Sequence, residues 1–219
     1  MHREILKRCG TALVVIGAMD VGYMIWCIAN QVNYNSSFNI FAIIAGILLI
    51  NGNLKVSRWV ARFIAFFLAM SLTIIVLIPA LQPIGYFWAA LKNSGLQGGL
   101  WVAVGALFLA LLWWMRGQLY RPEVISAQIE SGLKAPKPWL PLTLGAVAAM
   151  GLVVFLRFLT TGDTAKEAIR RADEKLGANY HYVVTNMQIG ISMGHKSVSA
   201  VVAAYNDSEF KTIPIQWQE

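Results

Sequence analysis

The sequence predicts an α-helical polytopic membrane protein with five transmembrane helices and a small C-terminal α+β domain outside the membrane, and three observations predict it. Of 219 residues, 57% are hydrophobic and 13% charged, against roughly 45–50% and about 25% in a soluble domain. The charge is uneven: residues 1–160 hold 12 Lys/Arg and 4 Asp/Glu, whereas residues 161–219 hold 6 and 7. Apolar runs of span length recur through the first part and stop near Thr160. The boundary therefore separates a membrane region, 1–160, from a domain, 161–219. This composition excludes disorder and an ordinary soluble enzyme. The net charge of +7 sits between apolar runs instead of on one soluble face, so no nucleic-acid partner is expected.

A helix needs roughly 20 apolar residues to cross about 30 Å of hydrocarbon. Runs at 11–29, 37–53, 63–81, 99–115 and 140–159 are the candidates. The second is strictly apolar only over 40–50, and reaches span length by including Ser36, Asn39, Asn51 and Asn53 or by thinning the bilayer. Basic residues alternate between connections: Arg3, Lys7 and Arg8, then none, then Lys55, Arg58 and Arg62, then Lys92 alone, then Arg116, Arg121, Lys134 and Lys137. Five crossings of a cytoplasmic (inner) membrane fit that alternation, with the N-terminus in the cytoplasm and the C-terminal domain periplasmic. Indoles settle at the headgroup level, and the same topology puts Trp59, Trp113, Trp114 and Trp139 at the inner interface and Trp26, Trp88 and Trp101 at the outer.

The first run is too long for a cleaved signal and contains Asp20, so it reads as a retained span. Basic residues precede Cys9, which argues against acylation there. Cys9 and Cys27 lie 18 residues apart on one helix, about 27 Å, and cannot pair with each other.

Asp20 is the one acid inside an expected span. Intramembrane carboxyls face a bundle or cavity, and Gly10, Leu13, Gly17, Asp20, Met24 and Cys27 share a helical face. Asp20 is either a proton or ion site or an acid that fixes helix pairing with Asn39, Asn51, Ser71 or Thr73. Arg157 should snorkel to the outer surface instead. Small residues four apart, Ala18 and Gly22, Gly99 and Ala103, Ala106 and Ala110, Gly145 and Ala149, allow close helix approach. Residues 122–133 read as a surface helix, with Pro122 at its first position, Gly132 at its end, and Val124, Ile125, Ile129 and Leu133 available to the inner leaflet. Residues 84–91 read as a second interfacial segment.

In the C-terminal domain, Thr164-Ala165-Lys166-Glu167 has the form of a capping box, and Gly177 the place of a helix stop. Period-two runs follow at 180–188, 196–205 and 209–217. In the first, His181, Val183, Thr185 and Met187 alternate with Tyr180, Tyr182 and Val184. Pro214 places the last run at an edge or bulge. The expected unit is an αβββ antiparallel meander with one covered and one open face. Soft thioethers and imidazoles suit copper, and His181, Met187, Met193 and His195 are the only such set. The simpler reading is isolated histidines and hairpin-tip methionines, so no metal or cofactor is assigned.

A membrane anchor, a helix ending Glu174-Lys175-Leu176-Gly177 and three strands together look distantly like bacterial cytochrome oxidase assembly factors, over the last quarter of the chain. Type IV pilins also place a meander after a helix, but their Gly-Phe cleavage site and following glutamate are missing here. The resemblance implies an assembly role. No catalytic constellation is legible. The expectation is a non-enzymatic accessory, assembly or immunity-type protein in the lipid bilayer, contacting another membrane protein or a copy of itself. A small transporter or channel using Asp20 is the alternative.

Overall fold

In the computed structural model, which describes residues 1–34, 39–192, 195–206 and 208–218, the chain forms seven helices and then three strands. The helices are α1 (His2–Ala29), α2 (Asn39–Ile50), α3 (Leu54–Leu81), α4 (Ile84–Leu119), α5 (Pro122–Glu130), α6 (Trp139–Thr161) and α7 (Asp163–Leu176). The strands are β1 (His181–Ser192), β2 (His195–Tyr205) and β3 (Phe210–Gln218). Among the described residues four helices, α1, α3, α4 and α6, are long and apolar enough to cross a membrane. The second expected span is a helix of only 12 residues, about 18 Å long, too short alone for about 30 Å of hydrocarbon. Residues 35–38, which that span would draw on, lie outside the described residues.

The four long helices outrun their apolar cores. Arg3, Lys7 and Arg8 ride on α1, and Lys55, Arg58 and Arg62 on α3. Asn53 sets the start of α3: its Oδ1 accepts the backbone N–H groups of Lys55 and Val56, each at 3.1 Å, the role of a helix N-cap. Within α4, Gly95 adopts φ 53°, ψ −131°, a region open essentially to glycine alone. It separates a segment at 84–94 from a span at 96–119. Little of the helical surface is internal. The most apolar windows of the four candidate spans are between 11% and 17% buried, and Val76, Leu107 and Phe158 are 75%, 72% and 76% exposed. Such faces belong against hydrocarbon, not water.

The chain divides into two compact units, Met1–Met70 with Leu107–Ala146, and Ser71–Ala106 with Val147–Glu219. In the first, Leu6, Cys9, Leu49, Ile64, Met115, Leu119 and Val124 form the core. That core gathers the start of α1, the end of α2, the start of α3, the end of α4, and α5. The α1–α2 pair is antiparallel and close. A side chain added at Gly10 would strike the backbone of Gly46 and Ile50, and one added at Gly46 would strike Gly10 and Val14. Only glycine permits that approach. A buried amide completes the core, Gln128 Nε2 donating to Ser57 Oγ at 3.2 Å. α5 starts at Pro122, and Leu133 N–H closes its end on the Gln128 carbonyl. Its apolar face is divided, however: Val124 is buried in the core while Ile129 is half exposed, so only part of the expected face is free.

In the second unit, Arg157 donates to the carbonyl of Ala80, one of the orphan acceptors at the end of α3, where a cation also suits the helix dipole. The sheet is antiparallel in the order β1-β2-β3. Ala165, Ala168 and Ala172 of α7 bury themselves against Val184, Val198, Val202, Ile215 and Trp217. Alanine at one-turn spacing puts the helix backbone low on the sheet.

Three expectations need correction. The cap of α7 is Gly162, without a side-chain cap bond. Glu167 takes the Arg170 and Arg171 guanidinium groups instead, because charge-assisted bonds outcompete a solvated backbone N–H. Alternation in β1 breaks at Thr185, where the register slips between Val184 and Asn186. Beyond this bulge each side chain changes face, so Met187 joins Tyr182 and Val184 beneath α7. The other sheet face is open only in part. Ala203 and Tyr205 are buried on it, and Tyr86 of α4 packs its ring 6.0 Å from both Tyr205 and Phe210. Both edges are blunted as well, β3 by Pro214 and β1 by its bulge.

Candidate functional site

Asp20 is partly buried on α1, and Tyr34 donates its hydroxyl to the carboxylate at 3.0 Å. Tyr34 lies 6.1 Å from the ring of Tyr23, which stacks on Trp26 at 5.9 Å. The connection after α1 thus supplies a partner, which the expected set of Asn39, Asn51, Ser71 and Thr73 did not include. Asn51 follows the end of α2 that returns to Gly10, two to three helical turns from Asp20. The side chain of Asn39 lies outside the described residues. Chemically, a phenol on a carboxylate anchors the loop to the helix.

The small residues fall into two groups. Gly10 and Gly17 are buried, Gly145 lies against the Phe66 carbonyl, and Ala149 is fully buried. Ala18, Gly22, Gly99 and Ala103 are exposed, with open space around Gly22 and Gly99. Gly46 belongs with the buried group although the expected pairs do not include it, and Ala42 and Gly46 carry the same four-residue spacing.

The copper set does not assemble. His181 opens β1 opposite Tyr205, and its ring lies 5.5 Å from that tyrosine. His195 pairs with Ser192 at the other end of the same ladder, about 35 Å away at the rise of a strand. Met187 packs into the α7 core, and Met193 lies outside the described residues. Among the described residues no group of three or more His, Cys, Asp or Glu is placed to hold a metal.

A concavity of about 960 Å³ lies within the second unit, between residues 83–93 and one end of the sheet. Trp88, Leu91, Tyr205 and Phe210 give it apolar walls; Lys92, Asn93, His181, Asn206, Ser208 and Glu209 give it polar ones. Asn206 Oδ1 is occupied by the N–H groups of Ser208 and Glu209. Glu209 accepts from Tyr180 at 2.6 Å and from Lys211 at 2.5 Å. These two bonds hold its carboxyl below the usual range and push the Lys211 ammonium up. Asp207 lies outside the described residues. This cavity is not legible in the sequence, because its walls come from segments about 90 residues apart and neither carries a motif.

Fold and site together define a class: a membrane-embedded, mostly helical protein with a small three-stranded antiparallel sheet at its C-terminus. No protein-family model, curated protein or solved structure matches the chain. The likeness to oxidase assembly factors therefore rests on the order of elements alone.

Proposed function

We propose that the protein is an accessory, assembly or immunity-type component of a cytoplasmic membrane, acting by contact with another membrane protein or with its own copy. The observation that carries this reading is the open small-residue face of α4. Gly99, Ala103, Ala106 and Ala110 recur at helical spacing and are exposed, and nothing lies within 4 Å of a side chain built at Gly99. Toward lipid such a face contributes little; against a partner helix it permits backbone approach. In this reading the chain crosses five times, α2 completing the second crossing across a locally thinned bilayer. Its antiparallel pairing with α1 supports the return. The core that joins the ends of α1, α2, α3 and α4 also gathers the basic residues of α1, α3 and α4 at one end, which supports a cytoplasmic N-terminus and a periplasmic αβββ domain.

Affinity purification from native membranes in mild detergent tests the reading. The protein should carry a stoichiometric partner or second copy, and Gly99→Leu with Ala103→Leu should release it while abundance stays normal. A lone wild-type monomer, or undiminished association in the double variant, contradicts the proposal.

A further inference from the structure

The cavity beside residues 84–94 has an unbalanced lining. Glu209 is its one carboxylate among the described residues, and Lys211 and Tyr180 already neutralise and occupy it. Lys92 has no ion-pair partner among those residues and projects from the 84–94 segment, with Asn93 beside it and His181 across the space. Ser208 Oγ already donates to Asn206 Oδ1 at 3.0 Å, so the donors left for a ligand are those of Lys92, Asn93 and His181, with Lys92 as the positive charge that has no ion-pair partner among the described residues. The apolar wall is Trp88, Leu91 and Phe210. Trp88 is 68% exposed, and Ile84 and Leu96 nearby are 58% and 89% exposed, the profile of a segment lying along a membrane surface. A volume of about 960 Å³ falls in the range of small-ligand sites.

We propose that this cavity binds the phosphate-bearing headgroup of an anionic phospholipid. Lys92 acts as the point charge for the phosphate, His181 and Asn93 donate hydrogen bonds to it, and the Trp88–Leu91 wall takes the start of the acyl chain. Charge selects the ligand: a zwitterionic headgroup brings its own cation toward Lys92 and gains nothing. The inference rests on the membrane-surface placement of 84–94 and needs no protein partner, so purified full-length protein suffices.

Trp88 reports the site. Brominated lipid in mixed micelles should quench the fluorescence that is lost in Trp88→Phe. Half-quenching by brominated phosphatidylglycerol should occur at about one-tenth the mole fraction needed with brominated phosphatidylcholine, the size expected for one hydrogen bond to a charged group. Lys92→Gln should abolish that difference and leave phosphatidylcholine quenching intact. Because Lys92 is exposed, that variant keeps its fold, and His181→Gln gives a second, partial loss of selectivity. Equal quenching by both lipids, or an unchanged preference in Lys92→Gln, overturns the proposal. Quenching by neither lipid overturns the surface placement beneath it. Inorganic phosphate displacing phosphatidylglycerol at equal concentration overturns the lipid as the source of the anion.

Discussion

Gly10 and Gly46 hold α1 and α2 together by having no side chains. Leucine at either position meets backbone as well as a side chain, and backbone does not yield, so Gly10→Leu should destabilise the protein by about 1–3 kcal/mol, the usual overpacking cost. Gly22→Leu, with open space around it, should stay within about 0.5 kcal/mol. Detergent-phase thermal unfolding of both variants checks the contrast. Asp20 makes a parallel case. Asp20→Asn keeps an oxygen for the Tyr34 hydroxyl and should leave abundance and association normal, whereas Tyr34→Phe should cost about 1 kcal/mol. Loss of ion flux with normal assembly in Asp20→Asn would favour the transporter reading. The carboxylate was legible because a charge in an apolar run stands out. Its phenol was not, since Tyr34 sits in an irregular connection where no periodicity says what faces what.

At the scale of elements, α7 depends on a charge cluster. Arg170 and Arg171 hold the Glu167 carboxyl down to about 2. A depressed carboxyl stabilises the fold above its unfolded value of 4.5, and the contribution fades as pH falls from there toward 2. Unfolding of the full chain followed between pH 6 and pH 2 should show that decline in wild type and a shallower one in Glu167→Gln. Equal slopes contradict the assignment. Gly95 holds the break in α4, and Gly95→Ala should cost about 1–3 kcal/mol for backbone held in a region closed to alanine. An unchanged melting temperature would mean the break is not needed. The runs of β1, β2 and β3 and the edge position of Pro214 were legible from period two. The bulge at Thr185 was not, because an extra residue leaves composition unchanged and shows itself only when β2 sets the register.

For the whole molecule, excess apolar residues and segregated charge were enough to read a membrane protein with a small appended sheet. The number of crossings was harder. A helix of 12 residues that is apolar over 40–50 fits equally a buried helix, a re-entrant segment or a crossing of thinned lipid, and hydropathy alone does not choose. The basic ends of α1 and α3 and the Gly10–Gly46 approach are the grounds for the proposed return crossing. An odd number of crossings places the two ends of the chain on opposite sides of the membrane; an even number places them together. Paired reporter fusions at Met1 and Glu219, green-fluorescent and alkaline-phosphatase at each, measure this directly. Five crossings predict fluorescence only at Met1 and phosphatase activity only at Glu219. Both ends reporting the same side would contradict it.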